Sequence, residues 1–383
     1  MKLIPASNPP NPFARQRLDG TADYLSDWNP EAFDEFDAGA SRGQPLRVWE
    51  DRTQSILSKN DSPDLAMRFS VNPYRGCYHG CAYCYARPSH EYLGFGAGTD
   101  FERNIVIKPD AANLLRQAFR KKSWRHELVV FSGVTDCYQP LEARYQLTRQ
   151  CLQVCLEERN PVGIITKSAL IERDTNLLVE LDRVAGAHVT ISIPFADDEM
   201  ARKIEPYATP PSRRFKVVER LSQAGLSIGV NVAPVIPGLS DSQIPEIVER
   251  AAAAGARSLG MIVVRLPGSV KSVFEERLTH HFPLTVGKVL ARTREMRGGK
   301  LNDSRFGSRM QGTGEYAETI ERMMRVAAAR HGLRYGSLDS EIPDPAVRHA
   351  TGAPGLKAAT DAANQRPVAL GPTQEHTGQL KLF

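Results

Sequence analysis

The sequence has little cysteine and no long apolar run, and each shortage excludes a class of protein. Its six cysteines in 383 residues are too few and too unevenly placed for the disulfide framework of a secreted protein. No stretch reaches the roughly 18 consecutive apolar residues of a membrane span. Pro5 follows the first four residues and interrupts any apolar core of a secretory signal. We therefore expect a cytoplasmic protein that makes no membrane contact.

The charge balance is only mildly basic. The sequence has 49 lysine and arginine residues against 44 aspartate and glutamate residues, a net charge of +5. This balance allows an anionic partner such as a nucleic acid without requiring one. Both ends of the chain are poor in periodic apolar residues. We expect a partly disordered N-terminal extension over 1–60, a core over 61–335 and a disordered tail over 336–383.

Three cysteines stand close together at Cys77, Cys81 and Cys84, with the spacing C-x3-C-x2-C. Pro73 and Gly76 interrupt the preceding extended run, so the cysteines are predicted to lie on a loop at the tip of a strand. Three thiolates select a soft metal. Because the local count stops at three, an iron–sulfur cubane held here would keep one iron open to another ligand. A zinc site of three cysteines with His79 is the alternative.

The rest of the core alternates between buried strands and amphipathic helices. Six strands are predicted, at 67–71, 128–131, 162–166, 188–193, 226–232 and 259–266. Strands that alternate with helices pair in parallel through right-handed crossovers. Six units are fewer than the eight of a full barrel. The predicted fold is therefore α/β, an open, partial (β/α)6 barrel of the TIM type.

Polar residues follow strand after strand, at the end where such folds bind ligands. They are Thr135, Asp136, Lys167, Ser168, Ser192, Asn231 and Arg265. Because the carboxyl ends of parallel strands meet at one edge, these side chains are predicted to form a rim on the same face as the cysteine loop.

In its cysteine spacing and its order of strands and helices, the sequence resembles the radical S-adenosylmethionine (SAM) superfamily, whose signature is C-x3-C-x-aromatic-C. Tyr83 fills the aromatic position. More narrowly, it is similar to the spore photoproduct lyase-like branch, often labelled DNA-repair-photolyase-like. The stretches that carry this resemblance are NPYRGC at 72–77, TDCYQPLE at 135–142, ITKS at 165–168 and APVIPG at 233–238.

The resemblance implies an enzyme with a 4Fe-4S cluster bound by Cys77, Cys81 and Cys84. SAM would chelate the open iron and be cleaved by one electron to a 5′-deoxyadenosyl radical that abstracts hydrogen from a substrate. A low-potential donor of the flavodoxin or ferredoxin type would supply the electron to a monomeric enzyme. The residues implied to contact SAM are Tyr83, Thr135, Asp136, Lys167, Ser192, Asn231 and Ala233, with Pro234 beside the last.

The resemblance also suggests action on nucleic acid, with lesion repair as one form. One departure weakens that reading: the stretch 132–135 directly before Asp136, where the lyase has its cysteine hydrogen donor, contains no cysteine, and Cys137 comes directly after Asp136. Cys137 is then either a hydrogen donor in a new position or a buried small residue. Two other hypotheses stay open: a radical modification of a protein or small molecule, and a non-enzymatic iron–sulfur or zinc binding module.

The last five residues are similar to the short peptide with which bacterial replication and repair proteins bind the sliding clamp. Leu380, Leu382 and Phe383 would enter an apolar pocket, and Gln379 would set the register. The alternative is an anchor that packs back on the domain.

Four further features have simple structural interpretations. Cys151 and Cys155, one helical turn apart, are predicted to pack in the core. The glycine-rich run at 94–98 reads as a flexible loop beside the cluster, able to cover the SAM site as a lid, with His90 and Glu91 solvated near it. The basic residues Lys300, Arg305 and Arg309 read as a solvated loop.

Overall fold

A computed structural model of the chain describes residues 7–13, 23–25, 46–65 and 67–336. The predicted clamp-binding peptide, the predicted tail from residue 337 onward and most of the N-terminal extension lie outside these ranges. Within them, no helix combines the length and the apolar character that a crossing of the bilayer requires.

The described residues contain strands and helices that we number in chain order. The strands are β1 (Asp23–Leu25), β2 (Leu46–Glu50), β3 (Leu57–Lys59), β4 (Phe69–Val71), β5 (Tyr74–Arg75), β6 (Asn104–Ile107), β7 (Val129–Phe131), β8 (Val162–Thr166), β9 (Ala187–Ser192), β10 (Ile228–Val235), β11 (Ser258–Val263) and β12 (Arg334–Tyr335). The helices are α1 (Pro88–Glu91), α2 (Thr99–Arg103), α3 (Ala111–Phe119), α4 (Glu142–Tyr145), α5 (Leu147–Glu157), α6 (Thr175–Val184), α7 (Asp198–Ile204), α8 (Pro211–Gln223), α9 (Ile244–Ala253), α10 (Val270–His281), α11 (Val286–Glu295) and α12 (Glu315–Arg330).

The main sheet has eight strands in the order β12-β11-β10-β9-β8-β7-β4-β3. The six central strands, β4 and β7 to β11, pair in parallel and follow chain order. These are the six strands that the sequence predicted, so the open, partial (β/α)6 barrel is confirmed. The carboxyl ends of all six strands consequently meet at one edge.

The core forms where the crossover helices cover this sheet. All three residues of β7 are buried, and on α5 Cys151 and Cys155 are fully buried beside Leu152. The predicted packing role of these two cysteines is therefore confirmed. The apolar residues of α5 recur every three to four positions, so they lie on one face of the helix, and this face packs against the sheet.

A second, four-stranded sheet has the order β1-β2-β6-β5. In β2, buried Leu46 and Val48 flank exposed Arg47, and the strand pairs in parallel with β6. Strand β3 extends the main sheet as an antiparallel edge beside β4. Strands β2 and β3 lie within the predicted N-terminal extension over 1–60 and were not predicted, because their apolar positions are too few to form a clear periodic pattern.

The segment after α11 is held against the end of β11 by a buried arginine. Arg297 is 2% exposed and donates to the carbonyls of Val263, Val264 and Arg309. Arg309 is 4% exposed and forms an ion pair with Asp64. The prediction of a solvated basic loop is therefore wrong for Arg309.

Candidate active site

The cysteine loop leaves β5 at the carboxyl edge of the main sheet. Asn72 Oδ1 accepts a hydrogen bond from Val134 N at 3.1 Å, which joins the segments that follow β4 and β7. Gly76 has a φ of +76°, and a Cβ there would lie 3.0 Å from the Phe101 carbonyl oxygen. Only glycine fits this turn without strain. The turn sets where the first cysteine lies.

The three thiols of the loop lie in one buried region. Cys77 and Cys81 are each 7% exposed and belong to two apolar clusters, and half-buried Cys84 packs against both clusters. Burial raises the pKa of Cys81 and of Cys84. Among the described residues, no three His, Cys, Asp or Glu side chains converge as the ligands of a single ion would. A cubane requires no such convergence, because each of its irons takes a thiolate of its own.

Asp136 ties this loop to the tips of two strands. Its Oδ1 accepts from Thr166 Oγ1 at 2.6 Å and Tyr138 N at 2.9 Å. Its Oδ2 accepts from Lys167 N at 2.8 Å and lies 3.4 Å from His79 Nδ1. The two carboxylate oxygens therefore contact the segment after β7, the end of β8 with the residue that follows it, and the cysteine loop.

His79 lies between Asp136 and the first cysteine. Burial works to lower the pKa of His79, but Cys77 and Asp136 outweigh it and raise that pKa to about 10. Burial likewise works to raise the pKa of Cys77 and of Asp136, and His79 lowers both. The arrangement favours a protonated imidazole between two anionic groups.

Thr135 is also engaged with the loop. Its hydroxyl donates to the Gly76 carbonyl at 2.6 Å and accepts from Gln139 Nε2 at 3.1 Å. Gln139 Oε1 in turn accepts from Tyr78 N at 3.0 Å. Thr135 and Asp136 therefore both support the cysteine loop, and their predicted contact with SAM stays a prediction.

Tyr83 and Lys167 face each other at the edge of the loop. Lys167 Nζ lies 5.7 Å from the centre of the Tyr83 ring, a cation–π distance. The Tyr83 hydroxyl donates to the buried carboxylate of Glu205, which also pairs with buried Arg214. Arg214 Nη1 donates to the Ser192 carbonyl at 3.0 Å, so these contacts connect the loop to the end of β9.

Glu205 and Arg214 were missed at the level of sequence. Charged residues next to helices α7 and α8 ordinarily lie in solvent, and nothing local marks these two as buried. Their burial depends on partners that become neighbours only in the folded chain.

Ser192 and Asn231 lie side by side, because β9 and β10 pair in a register that opposes them. Both are buried, and Ala233, two residues along β10, is half-buried. Asn231 Oδ1 is buried without a hydrogen-bond partner among the described residues. An unpaired buried acceptor costs free energy unless a ligand supplies a donor. This part of the rim therefore fits a ligand that carries N–H or O–H groups.

Cys137 is not part of this rim. Its side chain is fully buried in the main core, and burial raises its pKa well above the usual range. The predicted solvation of His90 and Glu91 is wrong: His90 is 0% exposed between Phe95 and Phe101, and Glu91 is 5% exposed and accepts from Ser269. The rings of Phe95 and Phe101, which follow shortly after it in the chain, cover the histidine.

Two exposed aromatic rings, each with an arginine beside it, lie near the cysteine loop and the loop after β11. Tyr85, directly after Cys84, is 47% exposed, and Arg265 Cζ lies 4.8 Å from the centre of its ring. Phe306 is 56% exposed, with Arg309 Cζ at 4.5 Å. We call Tyr85, Arg265, Phe306 and Arg309 the aromatic–arginine patch.

Comparisons with known proteins agree with this architecture. A family model described as the radical SAM superfamily matches residues 71–251. An uncharacterised protein of Mycobacterium tuberculosis is 37% identical over 238 residues, which span 61% of this chain and 70% of that protein. A radical SAM Nalpha-GlyT isomerase of Pseudomonas phage M6 is 24% identical over 243 residues, which span 62% of this chain and 48% of the isomerase.

Among solved structures, a spore photoproduct lyase variant with bound AdoMet and dinucleoside spore photoproduct has a similar fold. The TM-score is 0.55 at 16% sequence identity, over 75% of this chain and 80% of the lyase. At this identity the likeness shows the fold alone.

Proposed function

We infer the function from one premise, that this chain belongs to the radical SAM superfamily and is an enzyme of that family. Its cofactors are SAM and a 4Fe-4S cluster. When bound, these cofactors supply the 5′-deoxyadenosyl radical, made by one-electron cleavage of the SAM sulfonium bond, that abstracts hydrogen from a substrate. The protein's own task is to bind the cofactors and the substrate, to orient them and to exclude water.

We propose that Cys77, Cys81 and Cys84 bind the cluster. Their burial together on one loop supports this assignment, and so does the support that Asp136 and Thr135 give that loop. Buried thiolates and the hydrogen bonds around them are the means by which a protein sets the potential of such a cluster.

SAM would lie between the loop and the rim. Lys167 Nζ has no acidic partner among the described residues, so it is available for the SAM carboxylate. The unpaired Asn231 Oδ1 is suited to accept from the adenosine, beside Ser192 and Ala233. Tyr83, which Glu205 orients, would close the site from the side of the loop.

The proposed substrate is a nucleic acid, and the aromatic–arginine patch is the observation that carries this proposal. Exposed aromatic faces stack on bases, and the two arginines add cation–π contacts to the rings. Arg309 supports the Phe306 ring while its own charge is paired with Asp64. Because Tyr85 directly follows Cys84, a base stacked on it lies next to the proposed cluster. We propose lesion repair as the form of the reaction. The solved lyase of similar fold holds a dinucleoside spore photoproduct, but that likeness concerns the fold and not the substrate of this chain.

The experiment begins with anaerobic reconstitution and incubation with SAM and dithionite. We expect 5′-deoxyadenosine to form, and its absence from protein with an intact cluster would refute the enzyme assignment. Deuterium transfer from labelled DNA into 5′-deoxyadenosine would then identify the substrate. Transfer only from a protein or small molecule would favour the alternative reaction.

Binding of single-stranded DNA tests the patch separately. A base stacked on an aromatic ring contributes about 1–3 kcal/mol, so Tyr85→Ala and Phe306→Ala should each weaken binding about 5- to 150-fold. Val326→Ala is the matched control, because Val326 is 56% exposed and lies on α12, outside the patch. If Tyr85→Ala and Phe306→Ala bind DNA as tightly as Val326→Ala and the wild type, a role for the patch is refuted.

The clamp-binding peptide, the electron donor of the flavodoxin or ferredoxin type, the monomeric state and the cytoplasmic location stay predictions. We propose that Gln379, Leu380, Leu382 and Phe383 bind the sliding clamp. Deletion of residues 379–383 should abolish capture by purified clamp while leaving the affinity for DNA unchanged. Capture that survives the deletion would refute the assignment.

A further inference from the structure

Arg87 lies three residues after Cys84, at the start of α1, and its side chain is 0% exposed. Its guanidinium uses all five N–H groups. Nε donates to the Cys81 carbonyl and Nη2 to the Gly80 carbonyl, both at 3.0 Å. Nη2 also donates to Glu102 Oε1 at 2.6 Å, in an ion pair whose two side chains are both buried.

The remaining donors reach a second segment. Nη1 donates to the Ala97 carbonyl at 2.8 Å and to the Gly98 carbonyl at 3.0 Å, within the glycine-rich run at 94–98. Arg87 therefore bridges that run and the cysteine loop. The run is anchored at this point, which differs from the flexible loop that its composition predicts.

Arg87 also brings a positive charge to the cysteine loop. Its backbone N–H donates to the Cys84 carbonyl at 3.3 Å, while its guanidinium contacts the Gly80 and Cys81 carbonyls. Phe101, whose ring centre lies 5.2 Å from Arg87 Cζ, packs with Cys77 and Cys84 in a small apolar cluster. The arginine therefore acts on the loop through both its shape and its charge.

We propose that Arg87 is a positioning residue for the cluster: it holds the Gly80 and Cys81 carbonyls in place and brings its positive charge into contact with the cysteine loop. This inference rests on the proposed role of the three cysteines. Lysine cannot replace it, because an ammonium has three donors and no planar fork, and cannot reach five acceptors on two segments.

The test compares reconstituted wild type, Arg87→Lys and Arg297→Lys. Arg297 is a matched control, since it is buried and donates to backbone carbonyls, none of them in the cysteine loop. Loss of the cluster to a chelator is followed by visible absorbance, and the midpoint potential by electron paramagnetic resonance. Changes around metal ligands typically weaken binding about 10- to 100-fold, so Arg87→Lys should lose its cluster faster by that order.

We expect Arg297→Lys to lower the melting temperature but to keep the wild-type rate of cluster loss and the wild-type potential. Equal rates and potentials for wild type and Arg87→Lys would overturn the inference, as would an equal effect of Arg297→Lys. If wild type takes up no cluster, the proposed function itself fails. That outcome is distinct from a stable wild-type cluster that is indifferent to Arg87.

A second variant covers the case in which Arg87→Lys does not fold. Glu102→Gln keeps an oxygen acceptor for Nη2 and leaves the four carbonyl bonds of Arg87, but removes the balancing negative charge. The midpoint potential should then become less negative, because a more positive surrounding stabilises the reduced cluster. A purely structural role for Arg87 predicts no change in potential, and that result would overturn the inference.

Discussion

The substitution Glu205→Gln tests how the cysteine loop is held on the side of Tyr83. Glu205 is 1% exposed and accepts hydrogen bonds from the Tyr83 hydroxyl and from Arg214, which is also 1% exposed. The preceding carbonyl, of Ile204, accepts from Ala82 N at 2.9 Å. Glutamine keeps the shape of the side chain but removes the charge that balances Arg214.

The expected loss of stability follows from the burial of this pair. Removing one partner of a buried ion pair costs about 3–5 kcal/mol, because the other charge is left uncompensated. In domains of 150–250 residues, each kcal/mol of lost unfolding free energy lowers the melting temperature by about 2–4 °C. We therefore expect the melting temperature to fall by about 10 °C.

Thermal unfolding of the anaerobically reconstituted protein, followed by circular dichroism, measures this fall. Tyr83→Phe removes one hydroxyl and leaves the ion pair intact, so its cost should be smaller, about 1–3 kcal/mol. Glu199→Gln is a surface control, since the Glu199 side chain is 74% exposed and its substitution should not affect the melting temperature.

The reasoning is refuted if Glu205→Gln melts at the wild-type temperature, or if Tyr83→Phe is the more damaging change. The first result would mean that Arg214 finds solvent or another partner. The second would mean that the hydroxyl, and not the ion pair, is what holds Glu205.

Three further outcomes are expected. In Gly98→Ala the new Cβ would lie 1.8 Å from the Ser7 carbonyl oxygen, so residues 7–13 should detach and exchange amide hydrogens faster. Cys137→Ala should retain full turnover, and lost turnover with an intact cluster would assign its thiol to the chemistry. Burial and the neighbouring charge of Arg75 lower the pKa of Lys108 from 10.5 to about 8 in the folded protein. Between these two pH values the unfolded chain therefore binds more protons than the folded chain. The free energy of unfolding should therefore rise as the pH increases from about 8 to 10.5. Urea titrations at several pH values should show a smaller rise for Lys108→Met than for the wild type.

The strands and the cysteine loop could be predicted from local features. The runs that became β7, β8 and β10 are apolar, β-branched and ended by breakers, so they specify buried strands wherever they lie. The spacing of Cys77, Cys81 and Cys84 is likewise local. Parallel pairing then required only the rule that βα units follow one another around a sheet.

The buried charged residues could not be predicted in the same way. Arg309 pairs with Asp64 across 245 positions of sequence, and Glu205 meets Tyr83 across 122. Sequence alone assigns a charged residue to solvent, because leaving a charge in water is favourable unless a partner is supplied. That partner exists only after the chain has folded.

The residues around the cysteine loop separate the two kinds of information. The signature of thiols and one aromatic residue, together with the strand order, was sufficient to identify the superfamily, because these features are local and periodic. Which side chains support the loop, namely Arg87, Asp136 and Glu205, depends on hydrogen bonds between distant segments. Tertiary structure decides such contacts, because a buried ion is stable only where the fold brings its counter-ion and its acceptors together.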